Sequence, residues 1–120
     1  MRQILLTEDA DGTSHFSDAE LAMTLADFAP PAPALYLSEA ETARRVLFLT
    51  LPPGWTGEMH PSPQPQFVIC LEGRMRFEAG DGEAREVRPG DVIRCTDTTG
   101  SGHRSAVLGT ENAHLAIVQI

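Results

Sequence analysis

From Arg44 onward the chain is cut by Gly and Pro into apolar runs of only four to eight residues, too short for helices of ordinary length. Arg44–Leu51 is rich in β-branched and aromatic residues and stops at Pro52-Pro53-Gly54. Gln66–Leu71 and Met75–Ala79 flank Glu72-Gly73-Arg74, a connection of hairpin length that contains Gly. Gly80-Asp81-Gly82 separates Met75–Ala79 from Ala84–Val87, and Arg88-Pro89-Gly90-Asp91 leads into Val92–Cys95. His103–Leu108 and Ala113–Ile120 complete the series. Short strands at this spacing predict an all-β sandwich or barrel and exclude a helical fold. Ten Gly and nine Pro in 120 residues agree, because that share of turn formers leaves little chain for long elements.

The N-terminal third is less regular. Ser17 with Glu20 has the form of a capping box, and Leu21, Leu25 and Phe28 fall at helical spacing. Leu21, Met23 and Leu25 also alternate with Ala22 and Thr24, which suits a half-buried strand, and the segment around 18–25 is read here as strand. Ala29-Pro30-Pro31-Ala32-Pro33 can be neither, since proline fixes φ and removes ladder donors, so it reads as a stiff connector. A short strand, Ala34–Leu37, follows. The expected organisation is one domain, with residues 1–33 as a Pro-rich arm and connector packed on a barrel of residues 34–120.

With 42% hydrophobic and 22% charged residues and no long apolar run, the chain reads as neither disordered nor membrane-spanning. Nine basic against 17 acidic residues give a net charge of −8, a field that repels phosphate and argues against nucleic acid and anionic membranes as partners. All nine basic residues are Arg, which rules out Schiff-base chemistry on a lysine. MRQILLTEDA reaches acidic residues too soon for a secretory signal, so a cytoplasmic location is expected. Cys70 and Cys95 then read as buried thiols rather than a disulfide.

The chemistry gathers between Gly54 and His103. His60, Ser62, Gln64 and Gln66 share a parity, so in an extended chain they project from one face while Pro61, Pro63 and Pro65 take the other. Polyproline II geometry would blur that alignment. Gly54, five residues, His60, then Gln66 and six residues to Gly73 resemble the first motif of the cupin superfamily, G-x5-H-x-H-x3,4-E-x6-G. Ser62 stands where the family has its second His, and Gln66 where it has Glu. Gly100-Ser101-Gly102-His103 resembles the G-x2-H of the second motif, G-x5-P-x-G-x2-H-x3-N, with Thr98 for Pro and Val107 for Asn. The likeness runs from Arg44 to Ile120, about two-thirds of the chain.

The resemblance implies a jelly-roll barrel of two antiparallel sheets. Gln66, Val68 and Cys70 share parity with His60 in an extended chain, so the face of Val68, Cys70, Met75 and Phe77 is expected to line its inside. The resemblance also implies a divalent metal, Fe, Mn, Ni or Zn, held by His60, Gln66 and His103. Two imidazoles and a neutral amide lack the carboxylate usual for such ions, so affinity should be weaker, and a pair of hydrogen-bonded pocket histidines without metal stays equally open. Asp97 could restore a carboxylate, but reads first as a turn residue bonding its own backbone. His15 reads as a surface loop residue that could reach the cavity from the arm, and His114 as structural. Trp55 either walls the pocket mouth or packs the core, and the alternating charges of Glu83–Arg88 read as a solvated face.

No nucleophile elbow, phosphate loop or Cys/His nucleophile spacing is present. Two classes of function remain. One is a metal-assisted enzyme on a small polar or anionic molecule, of the dioxygenase, isomerase or lyase type that the resemblance implies. The other is a metal-free ligand-binding or sensing protein. Exposed sheet edges and an apolar arm further predict a homodimer, and small cupins are often dimers.

Overall fold

The structure, a computed structural model, describes residues 1–120 and holds eleven strands and no helix. They are β1 (Arg2–Glu8), β2 (Ser14–Glu20), β3 (Thr24–Ala26), β4 (Leu35–Leu37), β5 (Arg45–Leu51) and β6 (Gln66–Glu72). There follow β7 (Arg74–Ala79), β8 (Ala84–Val87), β9 (Val92–Cys95), β10 (His103–Leu108) and β11 (Ala113–Gln119). Every run expected from Ala34 onward is a strand, within a residue or so at each end.

Six strands form the larger sheet in the order β2-β1-β9-β6-β11-β5, antiparallel except for β1 beside β9. A second sheet runs β10-β7-β8, and β3 pairs with β4 alone. The period-2 pattern decides which residues face inward. In β6 Gln66, Val68 and Cys70 are buried, and in β7 Met75, Phe77 and Ala79. Cross-strand register aligns these positions into rungs, Ile4, Ile93, Val68, Ile117 and Leu47 in one and Leu6, Cys95, Gln66 and Gln119 in the next. Both larger sheets contribute to one cluster of fifteen buried apolar residues, including Leu6, Val68 and Ile117 from one and Met75, Phe77 and Val107 from the other. The two sheets thus pack face to face across the core without being hydrogen-bonded into a closed barrel. Fully burying an aliphatic or aromatic side chain contributes roughly 1.5–3 kcal/mol, so this cluster is the main source of stability.

The N-terminal residues supply β1, β2 and β3. β1 lies within the larger sheet, and its Leu6 is wholly buried. Residues 17–28 are not helical: β2 continues to Glu20 and the extended chain resumes in β3. The helical stripe would have had nothing to bury against, because Leu25 and Phe28 are exposed. Ala29–Pro33 is the turn of the β3–β4 hairpin, with the Ala32 amide donating to the Ala29 carbonyl at 2.9 Å. No helix is long and apolar enough to cross a membrane.

Candidate functional site

Residues 55–60 run alongside β10 and extend the smaller sheet. The Val107 amide donates to the Trp55 carbonyl at 2.9 Å and the Gly57 amide to the Ser105 carbonyl at 2.8 Å. His60 and His103 then exchange both backbone bonds, at 2.9 and 3.0 Å. Such a pair directs both side chains to one side of the sheet. That side is the interior, since His103 shares its parity with buried Ser105 and Val107 and its ring lies 5.9 Å from that of the core residue Phe77. Gly102 makes the approach possible: its φ is +75°, and a Cβ there would fall 1.9 Å from the His60 carbonyl oxygen.

The two imidazole rings are 5.0 Å apart, centroid to centroid, and tilted by 48°. Nδ1 of His60 donates to the Glu58 carbonyl at 2.8 Å, which can only accept, and this assigns the Nδ1–H form to a neutral ring. Nδ1 of His103 donates to Asp97 Oδ2 at 2.6 Å. The other carboxylate oxygen of Asp97 accepts from the Ser62 hydroxyl at 2.8 Å, and the Ser62 amide donates to the Asp97 carbonyl at 3.0 Å. Asp97 and Ser62 are fully buried, His103 nearly so, and His60 is open to solvent. On both rings Nε2 makes no hydrogen bond within the chain. Asp97 is therefore not the self-bonded turn residue expected from its loop, and its carboxylate is committed to His103 and Ser62.

The loop that carries Asp97 and leads into His103 is gripped by the N-terminal hairpin. The Glu8 carboxylate accepts from the Thr99 hydroxyl at 2.7 Å and the Gly100 amide at 2.7 Å, and these bonds, the hydroxyl foremost, hold it below the usual carboxylate range. The Ser14 hydroxyl donates to the Gly102 carbonyl at 2.7 Å and accepts from the Gly80 amide at 2.7 Å. His15 lies in this clasp rather than with the other two histidines, its nitrogens 2.8 Å from Asp9 and 3.0 Å from Asp81. Those carboxylates, Asp9 foremost, raise its pKa. Beneath the loop, burial and, secondarily, the charge of Asp97 push the Cys95 thiol up to about 12, which leaves it no nucleophilic role near neutrality.

Gln66 faces inward on the larger sheet, where its Oε1 accepts from Gln119 Nε2 at 3.4 Å. Gln119 was missed in the sequence reading, although it shares parity with Leu115 and Ile117 and lies opposite Gln66. Its own Oε1 is buried without a hydrogen-bond partner, so the interior offers an acceptor in need of a donor or a cation. Gln64 is exposed while Ser62 and Gln66 are buried, so the expected four-residue polar row is broken by the bend at 63–65. His114 hydrogen-bonds Thr50 Oγ1 at 3.0 Å, apart from the pair, and half-buried Trp55 packs against the core. The charges of β8 form ion pairs on the outer surface, Arg85 with Asp18 and Glu86 with Arg74.

The donor set has the chemistry of a weak metal site. Histidines that ligate metals commonly fix one nitrogen on a carboxylate or carbonyl and offer the other, as both do here. A centroid separation near 5 Å suits two imidazoles sharing one ion at Zn–N distances of about 2.0–2.1 Å. No group of three or more His, Cys, Asp or Glu side chains is gathered in a way that could hold an ion, so a third protein ligand would have to be a neutral amide such as Gln66.

The model of the Cupin domain family matches residues 47–119, well over half of the chain, and the protein belongs to the cupin superfamily. No curated protein matches the chain.

Proposed function

We propose that this cupin binds a small polar or anionic molecule at His60 and His103 through a divalent cation, with Gln66 as a further neutral ligand, at one end of a jelly-roll barrel formed by the two facing sheets. The observation that carries this reading is the pair of rings 5.0 Å apart, each with Nδ1 anchored and Nε2 free. Neutral Nε2 atoms and the unpartnered Oε1 of Gln119 are all acceptors, which calls for a cation or hydrogen-bond donors. None of the side chains of His60, His103 and Gln66 would place an anion directly on the cation, which favours a carboxylate or enolate as the molecule completing its shell. When bound it would act as a Lewis acid on that oxygen, in keeping with chemistry of the dioxygenase, isomerase or lyase type. Asp97 orients His103 and fixes its tautomer, and Ser62 holds Asp97. The free thiols Cys70 and Cys95 suit a reducing, cytoplasmic setting.

The test is calorimetric titration of the untagged protein with Zn²⁺, Ni²⁺, Mn²⁺ and anaerobic Fe²⁺, with His60→Ala and His103→Ala alongside. Saturable binding of one ion per chain, lost in both variants, is expected. Failure of the wild type to bind any of the four, or undiminished binding by both variants, would overturn the reading. A second reading, a metal-free binding or sensing protein, is favoured by Ser62, which occupies the position of a ligating His and is bonded to Asp97 instead. It predicts binding of small carboxylates that persists in excess EDTA.

A further inference from the structure

The outer face of the smaller sheet gathers much of the chain's positive charge. Side chains alternate along a strand, so with His103, Ser105 and Val107 turned inward, Arg104 and Ala106 of β10 face out, as do Arg74, Arg76 and Glu78 of β7. Glu86 of β8 lies opposite Arg76, and Arg88 follows it and bonds it at 2.9 Å. Four of the nine arginines thus meet two carboxylates, Glu78 and Glu86, on a chain whose net charge is −8.

Glu78 lies deepest, its side chain 14% exposed, and takes Arg76 Nη1 at 2.7 Å on one oxygen and Arg104 Nη2 at 2.8 Å on the other. Those contacts, Arg76 foremost, hold Glu78 below the usual carboxylate range, so it stays charged. Each guanidinium commits one nitrogen to Glu78 and keeps its other N–H groups free. Arg76 is 46% exposed and Arg104 53%, so the bonds fix the two side chains in place without covering them. Beside them β10 carries Ala106, opposite Arg76 on one flank and Thr56 on the other. A methyl group among longer side chains leaves a hollow of about 240 Å³, lined by Thr56, Gly57, Arg76, Arg104, Ser105 and Ala106. The Thr56 hydroxyl makes no hydrogen bond within the chain and is a further donor there. Glu58, two residues beyond Thr56, forms no ion pair with either arginine.

We propose that this hollow binds a phosphate group, free or carried on a small organic molecule, between Arg76 and Arg104 with the Thr56 hydroxyl as a further donor. The site lies on the opposite face of β10 from His103 and stands independently of the cation proposed there. A tetrahedral dianion accepts along several edges, so it can engage both guanidiniums and the hydroxyl, and its charge matches the surplus of two arginines on this face. A carboxylate, with one edge and one charge, satisfies a single guanidinium. The volume sets the size of the ligand, since about 240 Å³ holds such a headgroup and little more. A polyanion laid across the molecule would meet the acidic remainder of its surface, whereas screening over about 8 Å leaves a small anion to the arginines around it.

The test is an NMR titration of the isotope-labelled chain with sodium phosphate, at constant ionic strength and about pH 7.5, where the dianion predominates. Saturable shifts, half-complete near about 1 mM, are expected at the amides of Thr56, Gly57 and Ala106 and at the Cζ carbons of Arg76 and Arg104. Arg76→Gln and Arg104→Gln should each weaken binding at least about 10-fold, the loss of one charge-assisted contact. Ala106→Leu, which fills the hollow at unchanged charge, should abolish it. Arg88→Gln removes a charge from the same face outside the hollow and should change affinity less than about 3-fold. Should Ala106→Leu alter the circular dichroism, Thr56→Val removes the hydroxyl at nearly constant volume and should weaken binding about 5-fold. Phosphoserine titrated alongside separates the sources: tighter binding than inorganic phosphate assigns the site to a phosphomonoester, equal or weaker binding to the free ion. Failure of both to saturate by about 20 mM, or an Arg88→Gln loss as large as that of Arg76→Gln, overturns the proposal.

Discussion

Replacing Asp97 by Ala tests how the histidine site is held together. The side chain is fully buried and its two oxygens accept from His103 Nδ1 at 2.6 Å and Ser62 Oγ at 2.8 Å. Truncation leaves both donors without a partner in places where water has little access, His103 being 4% exposed and Ser62 1%. An orphaned buried donor costs about 1–3 kcal/mol, and truncation of Asp97 orphans two. A loss of about 2–5 kcal/mol is expected, a large share of the roughly 5–15 kcal/mol by which such domains are stable. Urea unfolding followed by Trp55 fluorescence and circular dichroism measures it. Ser62→Ala, which removes one donor and leaves the His103 contact intact, should cost only about 1–2 kcal/mol. Asp97→Asn should cost less than Asp97→Ala but let the His103 ring adopt its other tautomer, which abolishes ion binding. An Asp97→Ala loss under about 1 kcal/mol would refute the assignment, because two orphaned buried donors cost more than that.

Gly102→Ala should destabilise by at least about 2 kcal/mol in the same assay, combining a positive φ with a Cβ driven into the His60 carbonyl, and should weaken ion binding with it. The His15 clasp should depend on pH with a definite sign. The raised pKa of His15 gives stability that is complete below about pH 6.5 and lost as pH rises through the folded value, while the lowered values of Asp9 and Asp81 give stability lost only as pH falls through theirs. The Tm gap between wild type and His15→Ala should therefore be widest below about pH 6.5 while Asp9 and Asp81 remain ionised, and should shrink as pH rises through the raised value of His15. A thiol reagent at pH 8 should label neither cysteine in the native protein and both in denaturant, because burial raises Cys70 and lifts Cys95 to about 12.

Most strands could be read from the sequence because each is bounded by a turn that only Gly or Pro explains. Gly73 is such a residue: at φ +75° its hydrogen faces the Asn112 carbonyl, where a Cβ would lie 2.4 Å away. The inward set Val68, Cys70, Met75 and Phe77 followed from parity alone. β1 was harder, because Arg2–Glu8 carries only three consecutive apolar residues and enters the sheet through a parallel pairing with β9 that no local signal specifies. The meeting of His60 and His103 came from motif spacing, and the structure brings it about through the backbone pairing that Gly102 allows. The role of Asp97 was hidden, since a lone Asp in a Thr/Gly/Ser loop looks like turn chemistry until the fold places it under His103. Gln119 was hidden for a similar reason: its partner lies 53 residues away on β6.

The central claim is that His60 and His103 together present two unprotonated Nε2 atoms to one ligand. Nitrogen-15 NMR of the four histidines at pH 8, with and without one equivalent of Zn²⁺, tests it most directly. The Nδ1–H tautomer is expected for both residues in the apo protein, with large Nε2 shifts on both, and on neither His15 nor His114, when the ion is added. An Nε2–H tautomer on either ring, or zinc shifts confined to His15 and His114, would contradict it.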